Sequence, residues 1–432
     1  MQSEFDALIV GAGPAGATAA IVLARAGWSV ALVEKQDFPR RKVCGECIAA
    51  SNLPLIAALG LGDAFDAAAG PALHQVALMR GGDQVLADLP AAAHAQYPYG
   101  RALGRATFDT LLRDQALALG VTVLQPWSVR NIDGAPGAWR CVLHKSDSGA
   151  SMLVRARVAI SAHGSWGTML SDRFWQRRAR AAGDLLAFKA NFVGAALQPG
   201  VLPVLCFDGG YGGMVVAEAG QTTVACCIRR DRLQAARRLH PALSAGAAVE
   251  ALLMDSCTGV RLALAGAQRD GPWLAAAPVS PGLRLGSPAS PLRIGNAAGE
   301  AHPILGEGIS MALQSAWLMC THLLAGAAMG AVPDKAAQYE AGRRFAEDWQ
   351  RLFGPRMRLA AAFAQAAMRP TAASVLLALA RRWPGLVTAS ARWGGKTRCA
   401  VDLQALALPE PHLVQPLAPA RAAPRLMPTL TL

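Results

Sequence analysis

Charge is scarce in this chain. Of its 432 residues, 16% are charged and 53% are hydrophobic. That balance excludes a disordered chain, which lacks the apolar surface needed to form a core. Long apolar runs are missing as well. No 18-residue segment is free of polar breaks, and the nearest, residues 309–332, contains Ser310, Gln314, Ser315 and His322. It reads as a buried helix rather than a membrane span. No basic start with an apolar core and cleavage site precedes the first element, so a cytoplasmic location is expected, with contact to a membrane surface left open. There is no lysine-rich tail and no zinc-finger or RNA-binding signature, so nucleic acid is not an expected partner. No internal repeat is visible.

Cysteine is not scarce, but its pattern excludes a disulfide framework. The nine cysteines are odd in number and irregularly spaced, which points to free thiols. Cys44 and Cys47 form a C-x-x-C, yet no further ligand cluster accompanies it, and no metal site is expected. A redox role for this pair stays open, because Arg40, Arg41 and Lys42 lie beside it. The 42 basic residues outnumber the 29 acidic ones, giving a net charge of +13. Scattered and mostly arginine, they favour an anionic membrane surface or an acidic carrier protein as partner.

What is present begins with the first 34 residues. An apolar run, Ala7 to Val10, leads into Gly11-Ala12-Gly13-Pro14-Ala15-Gly16. A helix-like stretch follows to Ala26, then a second apolar run, Val30 to Val33, ending at Glu34. A strand, a glycine turn, a helix, a strand and an acid form the order a dinucleotide site requires. Gly11 permits the tight turn, Gly13 lets the backbone approach a pyrophosphate, and Gly16 lets helix and strand lie close. The helix N-terminus offers N–H groups and a positive dipole end to the phosphates. Glu34 sits where a carboxylate accepts the ribose hydroxyls, and it disfavours a 2′-phosphate. No second G-x-G-x-x-G occurs, so no separate nicotinamide domain is expected.

Further along, residues 51–67 read as helical, 73–88 as a strand pair around Gly81-Gly82, and Arg105 to Leu119 as a helix. Residues 121–160 read as strands with turns at Asp133-Gly134 and Asp147-Ser148-Gly149. Residues 184–230 are mostly strand, broken by a glycine-rich turn at residues 209–213. A strand at Leu292 to Ile294 precedes Gly295-Asn296-Ala297-Ala298-Gly299. A long helix starts near Gly308, and more helices follow to about residue 395. The expected fold is α/β (α+β), a Rossmann-like domain interrupted by a mainly β domain, with C-terminal helices. The nucleotide domain takes residues 1–70, 100–180 and 285–330. The substrate domain takes 71–99 and 181–284, a helical region 331–400, and a flexible tail 401–432.

Five segments resemble the FAD-dependent group of p-hydroxybenzoate-hydroxylase-type monooxygenases, flavin halogenases and geranylgeranyl reductases. They are the N-terminal fingerprint, residues 38–46 (Phe-Pro-Arg-Arg-Lys-Val-Cys-Gly-Glu), Arg105-Ala106-Thr107-Phe108-Asp109, residues 160–166, and Gly295 to Gly308. The last is similar to G-D-A-A-G…P-x-x-G-E-G, with Asn296 at the aspartate. His163 likewise replaces an aspartate in the fourth segment. The resemblance implies non-covalent FAD, and with it contacts from Gly11, Gly13, Ala15, Gly16, Glu34, Lys35, Arg41, Cys44, Arg105, Asn296, Pro303, Gly306, Glu307, Gly308 and Ile309. Pro303 offers a donor-free surface to a flavin ring, and the helix opening at Gly308 stabilises its anionic reduced form.

Electrons are expected from NAD(P)H, docked transiently, or from a partner flavin reductase. The reaction most consistent with the resemblance is oxygenation of a small apolar aromatic or polyketide-like substrate, free or carrier-bound. Saturation of a prenyl C=C bond and halogenation are the alternatives. The halogenases' W-x-W-x-I-P is absent, and Gly210 to Val216 matches the reductases' Y-x-W-x-F-P only in part. His302, Cys47 and Tyr211 are the candidate catalytic residues.

Overall fold

In the computed structural model, residues 2–165, 181–287, 289–326 and 328–406 are described. The strand Gln2–Val10 lies inside a seven-stranded sheet. It pairs in parallel with Val30–Val33 on one side and with Ser151–Ser161 on the other. Thr122–Leu124 extends the first side in parallel. On the second side, Ala138–His144 and Ser128–Ala135 add antiparallel strands, and Leu292–Arg293 pairs with the end of Ser151–Ser161. Ala7, Leu8 and Ile9 are fully buried, as expected of a parallel strand covered on both faces.

The helix Pro14–Arg25 starts with proline, whose missing N–H costs nothing at that position, and residues 14–23 are all buried. It packs against the helices Arg105–Ala118 and Gly308–Leu324. The chain therefore leaves this layer after residue 33 and returns to it near residues 105, 151 and 292.

The second sheet also has seven strands. Its order is Gln268–Val279, Leu185–Val193, Thr222–Arg229, Gly210–Val216, Val201–Phe207, Gln75–Arg80 and Asp83–Asp88. Only the pairing of Val201–Phe207 with Gln75–Arg80 is parallel. One face packs Phe188, Phe192, Met214 and Ile228 against the helices Ala245–Ser256 and Thr258–Leu264. The other packs Leu185, Ala187, Tyr211 and Cys227 against Ala364, Ala367 and Met368 at the end of the helix Lys335–Ala367. Two shorter helices follow, Pro370–Arg382 and Gly385–Trp393. Among the described residues, no single helix is long and apolar enough to cross a membrane.

Three local expectations change. The hairpin turn falls at residues 136–137, while Asp133 and Gly134 belong to the strand Ser128–Ala135. Only residues 208–209 form the later turn, and Gly210 to Gly213 continue as a strand. The glycines there serve close packing: a Cβ on Gly212 would stand 2.7 Å from Ala225 O, and one on Gly210 would strike the Phe207 ring. Finally, residues 401–406 are anchored rather than loose. Val401 is buried, Trp317 Nε1 donates to Asp402 O at 3.1 Å, and neighbouring Ala400 N donates to Gln314 at 3.1 Å. The rest of the expected tail, 407–432, lies outside the described residues, as does Trp166 of the fourth family-like segment.

Candidate functional site

The glycine turn has the geometry its sequence requires. Gly11 has φ +103°, and a Cβ there would lie 2.5 Å from Ala162 O. A Cβ on Gly16 would stand 1.8 Å from Gly11 O, so only glycine lets the helix approach the turn. Gly16 shapes the site without lining it. No side chain caps the helix at Gly13, so its first N–H groups stay available to a ligand.

Around this turn stand a carboxylate and several cations. Glu34 is buried and accepts from Ala12 N at 3.1 Å and from Arg40 Nη2 at 3.2 Å. Arg40 also faces Asp109 at 3.4 Å, while its Nε and Nη1 are buried without a hydrogen-bond partner. Arg105 is clamped by Asp109 through two bonds of 2.7 Å. Burial opposes the charge on Arg105, but Asp109 outweighs it and holds the guanidinium above its ordinary value. Lys35, Arg40, Lys42 and Arg105 all line one cavity of about 560 Å³. Burial, and then the nearby Arg40, lower Lys42 to about 8. Crowded cations with unused donors suit a diphosphate, which supplies the missing acceptors and charge.

Arg41 does not belong to this cluster, contrary to the sequence expectation. It points away, onto Asp270 Oδ2 at 2.7 Å, and leans over Gly271, where a Cβ would meet its Nη1 at 2.6 Å. Its neighbours Arg40 and Lys42 line the cavity instead.

The loop that follows is pinned by Glu46, whose φ of 58° is unusual for a residue with a side chain. The Glu46 carboxylate is buried. It is ion-paired with Lys189, accepts from Thr223 Oγ1 at 2.6 Å, and accepts from Arg105 N at 2.7 Å. One side chain thus ties the loop to the second sheet and to the start of the helix Arg105–Ala118. Cys44 and Cys47 line the cavity as free thiols. Burial pushes Cys47 up, which Lys396 only partly offsets, and this works against a thiolate redox role.

Gly295 to Ile309 closes the opposite side. Asn296 lines the cavity and donates to Ser165 Oγ at 2.9 Å; Ser165 in turn donates to Glu300 at 2.9 Å. Pro303, Gly306, Gly308 and Ile309 line it too, with the helix Gly308–Leu324 opening there. Glu307 is not among the lining residues. Its carboxylate is buried, 3.2 Å from Lys396 Nζ and 3.6 Å from Arg356 Nη1, so charge pairing turns it away from the cavity.

At the second sheet, Ala187, Cys227 and Val279, with Ile304 packed against them, make the cavity wall apolar. Tyr211 and His302 meet here, with Tyr211 Oη 3.3 Å from His302 Nδ1. Tyr211 lines the cavity, whereas His302 reaches it only through Tyr211. Burial pushes the Tyr211 phenol well above 10 and lowers His302, so both are neutral near pH 7. Cys47 lies apart from them, beside Lys396. His163 lines the cavity and contacts Ser161 Oγ at 2.7 Å.

The structure also reveals participants that the sequence did not single out: Arg40, Lys42, Ser165, Glu300 and Lys396. Arg40 and Lys42 stand in the sequence within the family-like segment 38–46 and its basic run, without a role of their own. Ser165 and Glu300 lie inside the fourth and fifth family-like segments without being singled out, and Lys396 follows no motif spacing. Among the described residues, no cluster of His, Cys, Asp or Glu is arranged to hold a metal.

Comparison with known proteins agrees with this geometry. The model of the FAD-binding domain family matches residues 4–349. A tryptophan 2-halogenase of Chondromyces crocatus is 31% identical over 202 residues, covering 46% of this chain and 37% of that protein. A menaquinone reductase of Mycobacterium tuberculosis is 35% identical over 125 residues, covering 29% of each. The chain therefore aligns with well under half the length of these relatives. The solved structure of the myxobacterial chondrochloren halogenase CndH shares the fold, with a TM-score of 0.70 and 19% identity over 94% of this chain and 100% of that one. The expected α/β architecture is thus shown, and by its sequence from residue 4 to 349 the chain belongs to the FAD-binding domain family.

Proposed function

We propose that the protein is an FAD-dependent oxidoreductase that oxygenates a small, uncharged, apolar aromatic or polyketide-like substrate. One observation carries the proposal: a single cavity joins the nucleotide cradle to the apolar wall of the second sheet. Gly11, Gly13, Glu34, Arg40, Lys42 and Arg105 hold the dinucleotide end. The loops 44–47 and 303–309 hold the ring end. FAD, when bound, supplies electron transfer and oxygen chemistry that no side chain here provides. The protein supplies position, a water-poor pocket and the dipole of the helix that opens at Gly308. Tyr211, neutral and hydrogen-bonded to His302, presents a donor or acceptor to the substrate from an otherwise apolar wall.

The strand Gly210–Val216 favours oxygenation over its rivals. It lines the substrate end yet carries neither the halogenase signature nor the complete reductase one. Similarity to a halogenase and to a menaquinone reductase keeps halogenation and C=C reduction as arms of the test. Electrons come from NAD(P)H or from a partner flavin reductase. The experiment is anaerobic reduction of the FAD-loaded protein with NADH, NADPH or a reductase, then oxygen, with a panel of aromatic and prenyl compounds. Oxygen uptake coupled one-to-one to hydroxylated product supports the proposal. A product halogenated in the presence of chloride or bromide, or a saturated product without oxygen uptake, replaces it.

The basic excess has a structural counterpart that supports contact with an anionic membrane surface. Val375, Leu379, Trp383 and Leu386 are exposed along the last helices, with Arg381 and Arg382 exposed beside them. Apolar side chains among arginines suit a lipid interface.

A further inference from the structure

We propose that Lys396 is a positioning cation for the flavin end of the cavity and raises the preference of the site for reduced over oxidised FAD. The inference rests on the FAD reading above. It assigns a role to a residue outside every family-like segment.

Lys396 comes from the chain just after the helix Gly385–Trp393. Backbone anchors fix it: Ser51 N donates to Lys396 O at 3.1 Å, and Ser51 Oγ donates to Gly395 O at 2.8 Å. The side chain lines the cavity between the two loops assigned to the ring. Its Nζ would lie 3.5 Å from a Cβ on Gly306, and its charge acts on Cys47. Nζ is buried and faces Glu307 at 3.2 Å, and an ammonium carries three donors, so it keeps donors to offer.

The local charge balance is positive. Glu307 lies 3.2 Å from Lys396 and 3.6 Å from Arg356, so one carboxylate is shared by two cations. Lys396 lines the cavity and Glu307 does not, so the cation stands on the cavity side of its partner. Cys47, the other titratable group facing it, is held neutral by burial. Burial opposes the charge on Lys396, but Glu307 outweighs it, so the ammonium persists. The N-terminus of the helix Gly308–Leu324 adds a positive dipole end to the same rim. Reduction of a flavin builds negative charge on its pyrimidine ring. A fixed cation at that edge binds the reduced form more tightly than the oxidised form.

The test is the reduction potential of FAD bound to the full chain, read anaerobically against a reference dye. FAD binding itself is followed by visible absorption. Lys396→Gln is expected to keep FAD and to lose about tenfold in its preference for the reduced form, which is about 30 mV for a two-electron couple. Lys396→Arg is expected to restore most of that difference. Glu307→Gln removes the counter-charge and is expected to move the potential upward. A Lys396→Gln protein that holds FAD at the wild-type potential overturns the inference. If that variant does not fold, a Glu307→Gln potential that is unchanged or lower overturns it instead. Wild-type protein that binds no FAD overturns the cofactor reading, and this inference with it.

Discussion

Neighbouring residues in the loop after the second strand have opposite fates. Arg40 and Lys42 face the cavity, while Arg41 is spent on Asp270 at the surface. We therefore expect Arg40→Ala to weaken FAD binding by roughly tenfold or more, about 1.4 kcal/mol or more, and Arg41→Ala to leave it within twofold. Fluorescence titration of FAD distinguishes the two. Lys42 adds a pH signature. Its folded value of about 8 lies below the ordinary lysine value of 10.5. A diphosphate favours the protonated form, so FAD affinity should be flat below pH 8 and fall as the pH rises through it. Lys42→Gln should flatten that profile. In the absence of FAD the sign for stability is the reverse. The unfolded chain binds more protons between about 8 and 10.5, so this group makes folding more favourable as the pH rises across that window. Cys47→Ser should retain FAD and most activity, because burial keeps this thiol protonated. Loss of activity with FAD still bound would revive the thiol-redox reading.

Among elements, the segment 394–406 was the least legible. The sequence assigns its first part, to residue 400, to the helical region and the rest to a tail, because no period continues through it. Its order comes from partners far away in sequence: Ser51, Gln314 and Trp317. Each bond is worth about 1 kcal/mol net, with burial of Val401 in addition. Removing residues 394–432 is therefore expected to destabilise the protein by roughly 3 kcal/mol or more, read as a lower urea midpoint. The strand Gly210–Val216 was misread for a related reason. Four glycines in five residues look like a turn, yet interstrand contacts with Ala225 and Cys226 are what exclude a Cβ at Gly212. By contrast, the first strand, glycine turn and helix were plain, because alternation of apolar, glycine and helix-forming residues specifies them locally.

For the whole molecule, the proposed FAD would bind in the cavity between the two sheets and link them. At a hundredfold excess over its dissociation constant, a ligand specific for the folded state adds about 2.7 kcal/mol. A rise in melting temperature with FAD, absent in Gly16→Ala, is the expected result. The exposed row from Val375 to Leu386 should bind vesicles containing anionic lipid. That binding should weaken between low and physiological salt, because exposed charges are screened. Vesicle flotation checks it, and binding that ignores both lipid charge and salt would argue against this face.

Local sequence determined the dinucleotide turn, the acid at Glu34, the family-like glycine segment and the α/β alternation. Those features depend on neighbours within a few residues, through φ restrictions, close approach and helix termini. Tertiary structure alone decided which two of three consecutive cations face the cavity, that Glu307 turns inward to pair with Lys396 and Arg356, and that Tyr211 meets His302. These are choices between charges and surfaces distant along the chain. Their energies arise only once burial removes water and brings the partners together.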